Sequence, residues 1–262
     1  MTNLKPNRGR NMAKTENTMR INRFLARAGL GSRRAVEDII RQGRVKINGA
    51  KVTDLGRQVD PDADTVLLDG EPIRFPQDFR VYAFHKPLEV VSTLKAQGGQ
   101  AALLAYRIKS DIPDRFVPVG RLDAETTGLL LWTDDGKLNQ DLTRPKGGVW
   151  KTYEVELNEP LSEILIPKLT RGEIVIDGRP CLPCRLEMAM DKTTRHWIIQ
   201  VHEGRRRQIR RMFKKVGIKV LKLHRTEIGP ISLGLLRPGD FRRLNPKEVE
   251  QLRQAVAKDI PS

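Results

Sequence analysis

The chain has 262 residues, 39% of them hydrophobic, which suffices for two domains with a substantial core in at least one. Lys and Arg (48) outnumber Asp and Glu (32), leaving a formal net charge of +16. A surplus of that size points to a polyanionic partner, because cations that neutralise phosphates release condensed counterions. A protein of the membrane surface can share the total, but it usually carries a long amphipathic basic helix or a lipidation motif. Neither a myristoylation pattern nor a prenylation box is present, and no apolar run approaches the roughly 20 residues of a spanning helix. Residues 1–18 lack the apolar stretch of a signal peptide, so a soluble, cytoplasmic protein without a membrane partner is expected.

Residues 1–18 are polar and basic without periodicity and read as a disordered tail. Ile21, Phe24, Leu25 and Ala28 then recur at helical spacing, and Gly29 and Gly31 end that helix. Ser32 is a good N-cap for a second helix with Val36, Ile39 and Ile40 on one face, closed by Gly43. Val45 and Ile47 alternate with Arg44 and Lys46, and Asn48-Gly49 is a strong two-residue hairpin signal. A further strand over 65–68 ends at Asp69-Gly70. Residues 19–71 therefore form a compact module, whose Arg33, Arg34, Arg41, Arg44 and Lys46 stand among few acids and are expected to meet phosphates.

Residues 72–80, with two prolines and no period, read as a linker to a second domain over 81–257. VYAFHKP begins that domain as a strand, and 95–114 is expected to be irregular. Phe116–Val119 leads into the loop GRLDAETTG, and Leu129–Thr133 leaves it as a buried strand. KTYEVEL (151–157), IVIDG (174–178) and RHWIIQV (195–201) alternate as strands. Helices are expected over 161–169, despite Pro167, and over 246–256. The fold class is α+β: a small N-terminal α/β module followed by a domain with a mixed, mostly antiparallel sheet. GxGxxG and GxxxxGK[ST] are both missing, so nothing suggests nucleotide binding. Cys181 and Cys184 form the one CxxC; with no second cysteine pair, they read as semi-buried residues and no metal site is expected.

HEGRRRQIRRMFKKVG (202–217) holds seven basic residues between Arg205 and Lys215. Ile209, Met212, Phe213 and Val216 lie at helical spacing, so one amphipathic helix starting near Arg205 carries an arginine-rich face. Like charges on one face repel, and phosphates would neutralise Arg206, Arg207, Arg210 and Arg211. RNA suits this pattern better than duplex DNA, because no recognition-helix motif or zinc finger is present.

Asp123 stands in a polar loop at the mouth of a core strand, two residues after Arg121. Among arginines it would be ionised, hence a nucleophile or a base rather than an acid. Glycosidases need a second carboxyl, for which Glu125 is the near candidate, and metal nucleases need acid clusters. Asp134-Asp135-Gly136 is the nearest cluster and reads as a turn and helix cap. Single-carboxylate chemistry on RNA, or a structural pair with Arg121, remains.

GRLDAETTGLLLWTDDG resembles the signature loop of pseudouridine synthases that modify ribosomal RNA at single sites. KTYEVEL, HEGRRRQIRRMF and VLKLHRTEIGPISLG are similar to that family's other blocks, in the same order. Residues 19–66 resemble the small RNA-binding module named after the fourth small-subunit ribosomal protein. The resemblance implies isomerisation of uridine to pseudouridine in ribosomal RNA, free or in an assembling particle, by a monomer without cofactor or metal. GLGSRR and the basic C-terminal domain lean toward large-subunit RNA. Asp123 would be the catalytic aspartate, Arg121 would occupy the place vacated by the flipped base or hold the backbone, Tyr153 would stack on that base, and Arg205 would pair with Asp123. Leu129–Leu131 would supply an apolar floor. The alternatives are a non-catalytic RNA-binding assembly factor, and an RNA N-glycosidase using Glu125.

Overall fold

The computed structural model describes residues 18–74, 79–95, 101–144, 148–190 and 194–258. The expected tail lies almost wholly outside them. The chain divides into two units, residues 1–77 and 78–262.

In the first unit, β1 (Met19–Arg20) leads into α1 (Ile21–Arg27) and α2 (Arg33–Arg41). Ser32 caps α2 as expected, its Oγ accepting from the Ala35 amide at 3.2 Å. β2 (Val45–Ile47) and β3 (Ala50–Val52) form the hairpin, with both Asn48 and Gly49 at positive φ. β4 (Gln58–Val59) pairs with β1, and β5 (Val66–Leu68) pairs with β2. β6 (Glu71–Pro72) folds back on β5, and Ile73 packs on the module's core. The module thus runs past residue 71, and the expected linker begins later. The short β6 was hidden because proline is a poor strand former yet is tolerated on an edge. Residues 75–78 of that linker are outside the described residues.

The second unit is built on a nine-stranded sheet. Its elements are β7 (Val81–Lys86), α3 (Leu103–Lys109), β8 (Val117–Pro118), β9 (Thr127–Thr133), α4 (Gly136–Leu142) and β10 (Lys151–Leu157). A 3-10 turn (Glu163–Leu165) runs into α5 (Ile166–Thr170), where Pro167 occupies the first turn rather than breaking the helix. There follow β11 (Val175–Ile176), β12 (Arg179–Pro180), β13 (Arg185–Met188), β14 (His196–Val201) and α6 (Gln208–Lys215). β15 (Val220–Ile228), β16 (Ile231–Ser232), β17 (Phe241–Arg243) and α7 (Pro246–Lys258) complete it.

The main strand order is β13-β14-β10-β15-β9-β7-β17. β15 and β9 run parallel, with His224 opposite Thr127 and Arg225 opposite Gly128; the other pairings in this sheet are antiparallel. The sheet is therefore mixed and mostly antiparallel, as expected. Two apolar clusters pack on it, one around Phe84, Leu130, Trp132 and Phe213, the other around Leu129, Leu131, Leu142 and Leu252. Strand β9 is buried on both faces, which explains its unbroken apolar run.

Two expectations fail here. Residues 103–109 are helical rather than irregular; α3 has Ala102 at its N-cap with no side-chain cap bond, so no start signal marked it. Helix α6 begins at Gln208, three residues after Arg205. Arg207 takes a left-handed conformation (φ 52°) at its N-cap, where a non-glycine residue is unusual.

Candidate active site

The loop from Gly120 to Thr126 enters β9 at the parallel junction of the sheet and is held from both sides. The Val119 amide donates to the Leu131 carbonyl at 2.7 Å, and Thr126 N–H closes a turn onto the Asp123 carbonyl at 3.0 Å. Ser92 Oγ donates to the Leu122 carbonyl at 2.6 Å and accepts from its amide at 3.1 Å. The Ala124 carbonyl accepts from the Glu89 amide at 2.8 Å and from Lys86 Nζ at 3.3 Å. Asp123 is half-buried on this loop and Arg121 is exposed.

Lys86 is fully buried, and its Nζ also donates to the Pro87 carbonyl at 2.7 Å. Burial pushes its pKa down to about 8, against the upward pull of Asp123. In the unfolded chain a lysine titrates near its ordinary value of about 10.4. Between these values the unfolded chain holds the extra proton, so the contribution of Lys86 to stability grows as pH rises from about 8 to about 10. Denaturant unfolding followed by tryptophan fluorescence should show wild type gaining on Lys86→Met across that window. A pH-independent gap between the two would refute it. All three tryptophans lie in the second unit and report its transition.

Asp123 lines a cavity of 160 Å³ together with Arg121, Thr126, Lys151, Tyr153, Glu203, Arg205, Arg207 and Arg225. Its apolar walls are Val119, Leu122, Leu142, Val201, Ile209, Leu223 and Ile228. Leu129–Leu131 do not form the floor: alternation along β9 sends Leu129 and Leu131 into one core cluster and Leu130 into the other. Tyr153, from β10, is 8% exposed, and its hydroxyl accepts from Arg225 Nη1 at 3.3 Å.

Arg205 lines the cavity but is not bonded to Asp123. Its Nε donates to Glu203 at 3.1 Å, and its terminal nitrogens donate to the Ile176, Arg179 and Pro180 carbonyls of the β11–β12 hairpin. Lying before α6 rather than on it, Arg205 spends its donors on that hairpin. Asp123 pulls the pKa of Lys86 and that of Arg210 upward, against the lowering by burial. Arg210 projects from α6 and donates to the Val220 carbonyl and to the Glu125 carbonyl, each at 2.8 Å. A second carboxylate, Glu203, also lines the cavity; the Leu182 amide, Gln208 Nε2 and Arg205 Nε all donate to it. Sequence patterns offered no signal for Lys86, Glu203 or Arg225, and placed Arg210 among the phosphate-facing cations.

Glu125 faces away from the cavity. Its carboxylate pairs with Arg207 and lies 3.8 Å from Arg210, and the Arg207 hydrogen bond holds its pKa below the usual carboxylate range. It lines a groove of 1000 Å³ with Asp177, Arg206, Arg207, Arg210, Arg211 and Lys214. The repulsion expected along α6 is thus relieved partly from elsewhere in the chain, by Glu125 on Arg207 and by Asp177 on Arg211. In the first unit Arg41 pairs with Glu37 and Asp38, and Arg44 with Asp69. No ion pair involves Arg33, Arg34 or Lys46 among the described residues.

Cys181 and Cys184 are buried and free, and burial pushes the Cys184 thiol up to about 12. Such thiols are poor nucleophiles and poor ligands. No cluster of three or more His, Cys, Asp or Glu that could hold a metal occurs among the described residues, and no helix there is long and apolar enough to cross a membrane.

Residues 80–215 match the RNA pseudouridylate synthase family, and residues 19–64 match the S4 domain. Over 237 residues the chain is 37% identical to the ribosomal large subunit pseudouridine synthase B of Bacillus subtilis, covering 89% of this chain and 95% of that one. It is 34% identical to the protein of the same name from Yersinia pestis, covering 92% and 77%. A crystal structure of a pseudouridylate synthase superposes with a TM-score of 0.63 at 31% identity, covering 89% of this chain and 99% of that one. By these matches the chain belongs to the RNA pseudouridine synthases and carries an S4 domain ahead of its catalytic domain.

Proposed function

We propose that the substrate is large-subunit ribosomal RNA and that Asp123 acts at the ribose of a uridine flipped into the 160 Å³ cavity. The observation that carries this reading is that Asp123, on a loop fixed by Ser92, Glu89 and Lys86, shares that cavity with Tyr153 of β10. The N1–C1′ bond breaks, the base turns, and C5 bonds to C1′; C5 loses its proton and N1 gains one. Unstacking the base costs a few kcal/mol, and the vacated place goes to Arg121, which is exposed at the loop. Tyr153 supplies a flat platform for the base with one polar end. Arg205 acts through Glu203 and the β11–β12 hairpin, shaping the wall rather than pairing with the aspartate. With Glu203 held by three donors and Glu125 turned to the groove, neither is poised to activate water, which favours isomerisation over release of free base.

Phosphates of the same RNA meet Arg206, Arg207 and Arg211 in the basic groove, and Arg33, Arg34, Arg41, Arg44 and Lys46 on the S4 domain. The test is tritium release from rRNA transcripts labelled at C5 of uracil, with chelator present. Tritium in water matched by pseudouridine, without free uracil, is the expected result; free uracil would establish a glycosidase instead. Removal of residues 1–77 should weaken transcript binding by roughly tenfold or more through lost phosphate contacts, while leaving turnover at saturating RNA near wild type. Equal affinity of the truncated and full proteins would contradict the assignment of the S4 domain to RNA.

A further inference from the structure

Two residues of the cavity wall carry side-chain polar atoms that are buried and have no hydrogen-bond partner among the described residues: Thr126 Oγ1 and Arg225 Nη2. Thr126 is 2% exposed and Arg225 4%. Native interiors seldom leave such atoms unpaired, because each forfeits its hydration without compensation. Arg225 is the sharper case. Its backbone lies against Gly128 in the parallel pair, its Nε is committed to the Leu129 carbonyl at 2.7 Å, and Nη1 reaches the Tyr153 hydroxyl at 3.3 Å. No ion pair involves Arg225 among the described residues, so a buried guanidinium is left with a donor to spare beside the platform tyrosine.

We infer that Arg225 and Thr126 read the hydrogen-bonding edge of the base in this cavity and so select uracil; this rests on the reading above, in which the cavity takes the flipped uridine. Uracil presents two carbonyl oxygens flanking an N3–H. A guanidinium nitrogen donates to a carbonyl, and a threonine hydroxyl accepts from N3–H or donates to the second carbonyl. Cytosine keeps the C2 carbonyl but reverses the other two positions, with an unprotonated N3 and, at C4, an amino group that would face a guanidinium set against that carbon. The same contact serves the chemistry. When N1–C1′ breaks, the bonding pair passes to the uracil ring and spreads onto its carbonyl oxygens. A guanidinium already aimed at one of them stabilises that charge without reorganising.

The experiment measures tritium release from C5-labelled rRNA transcripts by wild type, Thr126→Val, Thr126→Ser, Arg225→Met and Asp123→Asn, with thermal unfolding and transcript affinity of each. Parallel transcripts carry 2-thiouridine or 4-thiouridine, whose sulfur is a weaker acceptor than oxygen. Thr126→Val, nearly isosteric, should lose turnover by about 10- to 100-fold at unchanged RNA affinity, and Thr126→Ser should restore it. One thio substitution should slow wild type and leave Arg225→Met, already slow, unaffected. Wild-type turnover by Thr126→Val would overturn the inference, as would a thio penalty of equal size in wild type and Arg225→Met, which is what a purely structural arginine produces. If Asp123→Asn is inactive while these results fail, base reading alone is wrong. If Asp123→Asn releases tritium normally, the reading of the cavity itself falls, and this inference with it.

Discussion

Asp123→Asn is expected to reduce tritium release from C5-labelled rRNA transcripts by about 10⁴-fold or more, while transcript affinity and unfolding midpoint stay near wild type. The substitution keeps the size and removes the charge. The loop itself is held through backbone groups, by Ser92 at Leu122 and by Lys86 and Glu89 at Ala124, so its shape does not depend on the carboxylate. The cations of α6 and of the S4 domain are likewise untouched. Loss of chemistry without loss of binding separates a catalytic carboxylate from a structural one. Retained release would remove Asp123 from the mechanism, and joint loss of binding and stability would make it a scaffold residue. Loss of the Asp123 charge also removes the upward pull on Lys86, so the pH at which Lys86 gives up its proton should fall below the wild-type value of about 8.

The second large effect is expected from a residue with no side chain. Gly128 lies at φ +105°, and a Cβ there would stand 2.2 Å from the Arg225 carbonyl oxygen and 2.6 Å from its nitrogen. Those neighbours are backbone in the middle of the sheet and have no room to yield. Gly128→Ala should therefore destabilise the catalytic domain by about 4 kcal/mol or more, in the range of the severest single substitutions. It should also abolish turnover, because pushing β15 from β9 displaces Arg225 and Thr126 together. Denaturant midpoints and the tritium assay check both. A midpoint within experimental error of wild type would mean that the parallel junction is looser than its geometry requires.

Local signals in the sequence carried far in the S4 domain. Ser32 caps a helix, Asn48-Gly49 turns a hairpin and Ile21, Phe24 and Leu25 share a buried face, each through interactions spanning a few residues. In the catalytic domain the same holds for α6, whose buried face of Ile209, Met212 and Phe213 follows the spacing in the chain, and for Asp135, which caps α4 as its turn-like context suggests. Where the local signal was weak, the reading missed elements. Residues 103–109 lack a capping side chain, and β6 and β13 are short strands whose pairing partners define them.

The sequence by itself determined that this is a basic two-domain RNA enzyme whose signature loop holds a single aspartate before a buried strand. It did so because the turn residues, apolar alternation and motif order all act along the chain. Tertiary structure alone decided what surrounds that aspartate. The parallel pairing of β9 with β15 brings Arg225 beside Gly128, and the antiparallel pairing of β7 with β9, which ends with Lys86 opposite Gly128, brings Lys86 to the Ala124 carbonyl. An arginine's partners depend on where register and packing place acceptors. Arg205 therefore went to a hairpin and Glu203, and Arg210, read as a phosphate contact, came within the field of Asp123. The composition of the site was legible, but its wiring depended on strand register, which joins residues about a hundred positions apart.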